Sequence, residues 1–162
     1  MTTTITGATG VNQITDDAIT AAKLPAGSVL QVVNASTSTE VSTSSGSYID
    51  TGLTATITPT STTSKILVLV SQVGIGKEAG NGGVYIKLVR GSSYLAALGN
   101  NIVYTGSTNA LRTGGSSANY LDSPSTTSAI TYKTQYLAFN SVVAYVNQTG
   151  ATSTITLMEI AG

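Results

Sequence analysis

The sequence contains no cysteine and no histidine among its 162 residues. Without cysteine the chain can form no disulfide and offers no thiolate nucleophile, and without either residue it lacks the ligands of the common Cys/His zinc sites. The absence of histidine also removes the side chain that most often acts as a general base near neutral pH. We therefore expect no catalytic residues, no metal ligands, no cofactor and no enzymatic activity.

Charge is scarce as well. The chain has 7 Lys plus Arg and 7 Asp plus Glu, and charged residues make up 9% of it, against roughly 25% in average proteins. Its 48 Ser and Thr residues supply the polarity instead. A chain without a basic surface is unsuited to binding phosphates, so nucleic acid is not an expected partner.

The hydrophobic content excludes two further classes of protein. Disorder needs low hydrophobicity with high net charge, whereas 41% of this chain is hydrophobic and its net charge is zero. No apolar run approaches the roughly 18–20 residues that cross a bilayer, and the first residues lack the basic and apolar regions of a signal peptide. We expect neither membrane insertion nor secretion.

One short segment has helical spacing. In ITDDAITAAKL, residues 14–24, the two aspartates near the start and Lys23 near the end suit the helix dipole, and Pro25 stops the pattern. Two or three turns are not stable alone, so the segment needs a partner surface. Its candidate contact residues are apolar: Ile14, Ala18, Ile19, Ala22 and Leu24.

From residue 28 onward the hydrophobic period changes to two, which predicts strands. Residues 48–58 place Leu53, Ala55 and Ile57 on one face, and 152–160 alternate in the same way. Residues 65–75 contain the most continuous apolar run of the chain, which predicts a central strand covered on both faces. The Gly-rich loop 76–83 and the strand 84–91 then predict a hairpin with that strand.

The remaining segments are less regular. Residues 93–99 predict a short strand, and 129–146 predict either one bent strand or two strands meeting near Asn140. Residues 34–47 predict a loop or a ragged edge strand, and 99–128 an irregular connection. About eight strands predict an all-β fold, an antiparallel β-sandwich of jelly-roll type over residues 28–162, although the pattern leaves immunoglobulin-like and other topologies open.

No stretch carries a strong catalytic motif. GIGKEAGNGG, residues 74–83, lacks the Ser/Thr after its lysine and the helix that a phosphate-binding loop requires, so a hairpin tip is the favoured interpretation. Acidic residues are scattered, which gives no paired-carboxylate signal.

The eight tyrosines are more informative, because tryptophan is absent and phenylalanine occurs once. Those within strand patterns are expected in the core or an interface. Three others lie in or beside irregular segments, near asparagines and an arginine, and such a set suits a sugar or a protein partner. The candidate receptor-binding residues are Tyr94, Tyr104, Arg112, Asn119 and Tyr120. Packing of each ring onto its own domain is the alternative.

Four stretches together resemble a known group of proteins. They are ITDDAITAAKLPAGSVLQVV, SYIDTGLTATITPTSTTSKILVLVSQ, VYIKLVRGSSYL and STITLMEIAG, and the resemblance extends over nearly the whole chain from Ile14. They resemble the tail fibre proteins of tailed bacteriophages, especially marine and cyanobacterial ones, in which a DDAITAAKL-like segment precedes a β-rich tip module.

The resemblance implies a non-enzymatic, structural virion protein that forms an intertwined homotrimer. Residues 1–27 would be an attachment and trimerisation segment with a short helix, bound to the tail or baseplate, and residues 28–162 a tip domain that recognises the host cell surface. The expected partners are sister chains, other virion proteins and host surface polysaccharide, and the expected location is the virion, assembled in the host cytoplasm. A capsid cement or head-decoration protein, or a baseplate adaptor without receptor binding, is the alternative.

Overall fold

The computed structural model describes residues 23–106, 110 and 114–162, and within these ranges the chain is built of β-strands. The strands are β1 (Val29–Thr37), β2 (Val41–Thr43), β3 (Ile49–Ile57), β4 (Lys65–Val73), β5 (Gly76–Lys77), β6 (Gly83–Arg90), β7 (Ser93–Ile102), β8 (Gly115–Asp122), β9 (Ile130–Phe139), β10 (Ala144–Val146) and β11 (Ser153–Ile160). A single 3-10 turn, Gln148–Gly150, precedes β11. The prediction of an all-β antiparallel sandwich is confirmed.

The strands form two large sheets and one small one. Sheet 1 has the order β1-β11-β4-β8 and sheet 2 the order β3-β9-β6-β7, while β2, β10 and β5 form the small sheet. If the short strands β2, β5 and β10 are left out and the other eight are numbered 1 to 8 along the chain, sheet 1 has the order 1-8-3-6 and sheet 2 the order 2-7-4-5. This is the pairing of a jelly roll, in which two Greek keys wrap around one core, and it distinguishes the fold from an immunoglobulin-like sandwich.

The two ends of the sandwich differ. The end that carries the small sheet, here the distal end, receives the connections β1–β3, β4–β6, β7–β8 and β9–β11. The opposite end, here the terminal end, holds the start of β1 and the end of β11. Backbone hydrogen bonds from Gly27 N to Ala161 O and from Ala161 N to Ser28 O, both 2.8 Å, tie the two chain ends together there.

The inward faces of the sheets make two apolar clusters. The cluster nearer the terminal end is centred on Leu53, Ile66 and Leu157, and the one nearer the distal end on Ile86 and Ala144. Alternate residues of each strand point into these clusters, and the residues between them point to the outer face of the sheet. The predicted inward positions of 48–58 and 152–160 are confirmed, since Leu53, Ile57 and Leu157 are buried.

A hydrogen-bonded group of polar side chains bridges the two large sheets inside the sandwich. The Gln72 amide nitrogen donates to Asn147 Oδ1 (2.9 Å) and to Ser153 Oγ (2.8 Å). Its carbonyl oxygen accepts from Thr134 Oγ1 at 2.9 Å, and Thr134 also bonds to Thr51. Because β4 and β9 belong to different sheets, this network fixes the position of one sheet over the other.

A second polar contact holds the edge strand β8 against sheet 2. Asp122 is buried, and its carboxylate accepts from Arg90 at 2.7 Å and from the Tyr132 hydroxyl at 2.6 Å. Burial and the adjacent Asp122 carboxylate raise the pKa of Tyr132 far above its ordinary value, so the hydroxyl keeps the proton that it donates.

Two sequence predictions about residues 65–91 are wrong, one about the covering of a strand and one about strand pairing. Strand β4 is central in sheet 1, but only its inner face is covered, and Leu69 on its outer face is 39% exposed. Residues 65–75 and 84–91 do not form a hairpin, because β4 pairs with β11 and β8 whereas β6 pairs with β9 and β7. The chain changes sheet between them, turning at Gly74, whose φ is +61°, and passing through β5.

Residues 99–128 are more ordered than predicted. They include β8, whose inward residues Ser116 and Ala118 are too small to give an alternating hydrophobic signal. The prediction for residues 129–146 is confirmed in its second form, since they make two strands, β9 and β10, with a left-handed residue at Asn140 between them. Of the predicted helical segment, residues 14–22 lie outside the described residues, and Leu24 is 38% exposed.

Candidate functional site

The predicted receptor-binding residues do not meet in one place. Tyr94 begins β7 at the terminal end, whereas Tyr104 lies just after β7 at the distal end. Asn119 points outward from sheet 1, and its neighbour Tyr120 points inward and packs against the core. Arg112 lies outside the described residues. Only Tyr94 and Tyr104 share a surface, the outer face of sheet 2.

That face carries five aromatic rings spread along its length. In β6 the alternation that buries Val84, Ile86 and Leu88 turns Tyr85 and Lys87 outward. The same alternation in β9 turns Phe139 outward, and Tyr48 lies at the entry of the neighbouring strand β3. We call this set the aromatic stripe; its rings are Tyr48, Tyr85, Tyr94, Tyr104 and Phe139.

The rings are near neighbours but do not cover one another. The Phe139 centroid lies 5.7 Å from that of Tyr85 and 6.5 Å from that of Tyr104, with the ring planes tilted by 51° and 56°. Tyr94 is 61% exposed, Tyr104 45% and Tyr48 36%. Apolar ring surface therefore stays open to solvent along the row.

Lys87 contributes the one cation within the stripe. Its ammonium nitrogen lies 3.9 Å from the centroid of the Tyr48 ring, a cation–π contact that holds both side chains on the sheet. Burial raises the pKa of the Tyr48 hydroxyl, and the neighbouring Tyr94 and Tyr85 hydroxyls raise it further. Tyr48 is therefore neutral over the physiological range and can donate a hydrogen bond.

Polar side chains border the stripe. The Asp50 carboxylate accepts from Lys133 and from Gln135, both at 2.7 Å. Burial alone would raise the pKa of Asp50, but these hydrogen bonds and the Lys133 charge outweigh it and hold the pKa below its ordinary value. The Asp50 side chain is 51% exposed, so its free lone pairs face solvent.

Two open clefts lie along the same face. One of about 410 Å³ is lined by Asp50, Gly52 and Lys133 among others. The other, of about 390 Å³, lies between Gly46, Tyr85 and Asn140. Both have polar and apolar walls, which is the lining expected of a ligand-binding surface rather than of packing defects.

The distal end of the stripe is held by hydrogen bonds between loops. Tyr104 Oη bonds to Asn81 Oδ1 at 3.1 Å, and the Asn140 amide donates to Asn81 O at 2.8 Å. Below them the buried Lys77 ammonium donates to Ala79 O (2.6 Å) and to Thr105 Oγ1 (2.7 Å). The lysine of the glycine-rich loop thus connects two loops.

The outer face of sheet 1 has a different character. One registered row crosses all four strands with apolar side chains: Val32, Met158, Leu67 and Leu121. Leu69 and Ile160 extend it, and among the outward residues of these strands only Lys65 is charged. We call this surface the apolar face. Val32 is 54% exposed and Leu121 53%, so the described part of the chain leaves much of this surface uncovered.

Sequence reasoning missed Tyr48, Tyr85, Lys87 and Phe139 as surface residues. The signal was present for β6, because Val84, Ile86 and Leu88 alternate with Tyr85 and Lys87. Tyr85 was instead assigned to the core or an interface along with the other strand tyrosines. That assignment holds for Tyr132 and Tyr136, which are fully buried.

The residues that the structure describes contain no cluster of three or more potential metal-ligating side chains. None of the helices in the described ranges has the length and apolarity needed to cross a bilayer. Comparison with known proteins finds no family model that matches the chain and no curated sequence that is significantly similar to it.

Proposed function

We propose that this chain is the receptor-binding tip of a bacteriophage tail fibre, a structural virion protein that recognises the host cell surface. The observation that carries the proposal is the aromatic stripe, which presents exposed rings, a cation and hydrogen-bonding side chains on a sheet held rigid by the core. Binding surfaces on rigid β-sandwiches lose little entropy when a ligand binds. The likeness of four sequence stretches to tail fibres supports the same function.

The position of the chain ends agrees with this function. The chain enters β1 at the terminal end of the sandwich, where Gly27 pairs with Ala161. The nine residues of β1 separate that end from the distal loops by about 30 Å, since a strand rises about 3.3 Å per residue. A chain attached to the tail or baseplate through residues 1–27 therefore directs its distal loops and the length of the stripe away from the attachment point.

The proposed assembly is a homotrimer in which sister chains cover the apolar face. Four strands about 4.8 Å apart and some 30 Å long give a face of roughly 600 Å² in projection. This is comparable to the ~800 Å² that each partner contributes to a standard interface. The apolar row occupies the terminal part of this face, and a nearly uncharged apolar patch is the composition found at the centre of interfaces between identical subunits.

Adsorption of phage to host cells tests the function. Purified protein should bind to host cells and reduce adsorption of the phage in a concentration-dependent way. Antibody against the chain should label the tail or its fibres in electron micrographs of the particle. Sedimentation equilibrium should give the mass of three chains.

The apolar face also supports the rival function, a capsid cement or baseplate adaptor protein, because other virion proteins could cover it. That function predicts no binding to host cells, together with full occupancy of capsid lattice or baseplate sites in images of the particle. This pair of results would replace the fibre proposal. A solution mass equal to one chain at all concentrations would contradict the trimer.

A further inference from the structure

We infer that the aromatic stripe binds an uncharged polysaccharide along an internal stretch of the polymer. The inference rests on the proposed function, because it names the class of receptor that the tip would recognise. Each sugar ring presents apolar C–H groups on its faces and hydroxyl groups around its edge. A complementary surface therefore needs aromatic faces with hydrogen-bonding side chains beside them.

The length of the stripe indicates a polymer rather than a single sugar. Tyr94 pairs with Val89 at one end, and Phe139 pairs with Gly83 at the other. The six-residue step from Gly83 to Val89 spans about 20 Å of strand. Aromatic surface is distributed over this distance, so several consecutive sugar rings can each find a partner ring.

The open shape of the stripe indicates internal binding rather than capture of a chain end. Both clefts on this face are open depressions that border the row. At the terminal end Tyr94 is 61% exposed, and at the distal end Tyr104 is 45% exposed. Because solvent reaches both ends of the row, a longer polymer can continue past either of them.

The charges on this face favour an uncharged ligand. Lys133 is paired with Asp50 at 2.7 Å, and Lys87 lies over the Tyr48 ring. A polyanion is usually bound by several convergent unpaired cations, and the described residues of the stripe offer none beyond Lys87. In contrast, this face is suited to bind sugar hydroxyls. The Asp50 carboxylate can accept hydrogen bonds from them, and the Gln135 and Asn140 amides can both accept and donate.

Affinity electrophoresis of the full chain tests this inference. The native gels contain dextran or hydroxyethyl cellulose as uncharged polymers, or hyaluronan as an anionic one. We expect at least one uncharged polymer to retard the protein, and retardation to persist in about 0.5 M NaCl, where charge interactions beyond a few ångströms are screened. Tyr48→Ala and Tyr94→Ala should each weaken the apparent affinity about tenfold.

Matched variants separate ring stacking from general effects. Tyr94→Phe retains the ring and should stay within about threefold of the wild type. Thr62→Ala changes an exposed residue of the β3–β4 loop and should leave retardation unchanged. Since Tyr48, Tyr94 and Thr62 are all at the surface, circular dichroism spectra and melting curves of the variants should match those of the wild type.

Three results would overturn the inference. The first is that neither uncharged polymer retards the protein. The second is that only hyaluronan retards it and that salt abolishes this retardation. The third is that Tyr48→Ala and Tyr94→Ala bind the polymer with the same affinity as the wild type. The fibre function would survive such results if the protein still bound host cells and labelled the tail, which would make the receptor a protein or an anionic polymer. Conversely, polymer binding without tail labelling would sustain this inference and overturn the fibre proposal.

Discussion

At the scale of single residues, Gly74 allows the chain to leave sheet 1 for the distal end. Its φ of +61° lies in the left-handed region, and its carbonyl accepts from Gln148 N at 3.0 Å. A Cβ at this position would lie 2.9 Å from Ala151 Cβ and from the Asn147 carbonyl carbon, and closer still to Gln148 N. None of these three atoms is the end of a flexible side chain that could move away, so only glycine fits.

Gly74→Ala should therefore destabilise the protein strongly. We expect the free energy of unfolding to fall by about 3–5 kcal/mol, the sum of left-handed strain and overpacking against fixed backbone. Urea denaturation followed by circular dichroism measures this. Gly46→Ala is the matched control, because a Cβ there meets nothing within 4 Å, and its effect should stay within about 1 kcal/mol. Equal denaturation midpoints for the two variants would refute this account of Gly74.

At the scale of secondary-structure elements, Glu159 near the end of β11 joins three segments at the terminal end. Its carboxylate accepts from the Gln31 amide of β1 at 2.6 Å, and from the backbone and hydroxyl of Thr60 in the β3–β4 loop, both at 2.7 Å. Burial alone would raise the pKa of Glu159. The hydrogen bonds from Gln31 and Thr60 outweigh burial and hold the pKa below its ordinary value of 4.5.

This lowered pKa fixes the direction of the pH dependence. A carboxyl group whose pKa is lower in the folded state stabilises the fold at pH values above its unfolded pKa. That contribution is lost as the pH falls through the pKa of the folded state, so the loss occurs below about pH 4.5. Asp50 has a lowered pKa and acts in the same direction.

Glu159→Gln should remove part of the pH dependence of stability. We expect a loss of about 1–3 kcal/mol at pH 7, because hydrogen bonds to a charged acceptor become bonds to a neutral one. The difference from the wild type should shrink as the pH falls below 4. Urea denaturation at several pH values measures both effects. A difference that is constant with pH would show that the Glu159 charge does not contribute.

At the scale of the whole molecule, the two outer faces differ in composition although they flank the same core. The face of sheet 2 carries rings, Lys87 and the pair of Asp50 with Lys133. The face of sheet 1 is apolar and nearly uncharged. A protein that uses both faces can bind its sister chains through one while the other remains free for ligand.

Leu121→Asp should weaken the trimer while leaving each chain folded. Leu121 is 53% exposed in the single chain, so a carboxylate is tolerated there, but in the proposed assembly the charge is buried without a partner. We expect the concentration at which trimers dissociate to rise at least about tenfold, measured by sedimentation equilibrium; for a trimer this is about a hundredfold change in the dissociation constant, or ~2.7 kcal/mol per trimer. Tyr94→Asp, on the opposite sheet, is the control. If Tyr94→Asp dissociated the trimer and Leu121→Asp did not, the interface would lie on sheet 2, and its proposed position on sheet 1 would be wrong.

The sequence by itself determined the fold class and much of the strand content. Alternation over 48–58 and 152–160 gave the inward residues correctly, because burial of one sheet face imposes a period of two on the residues themselves. It did not reveal β8, whose inward residues are small, nor the pairing of β4 and β6, because pairing depends on contacts between residues distant along the chain. The identification as a tail fibre stays a prediction.

The tertiary structure alone decided which residues share a surface. Tyr48, Tyr85, Tyr94, Tyr104 and Phe139 come from four separate parts of the chain, and only the order β3-β9-β6-β7 places them on one face. By contrast, the opposite facing of Asn119 and Tyr120, neighbours in β8, follows from the pleat of a single strand. Alternation tells which side chains of one strand point together, whereas hydrogen bonding between strands decides which strands lie side by side.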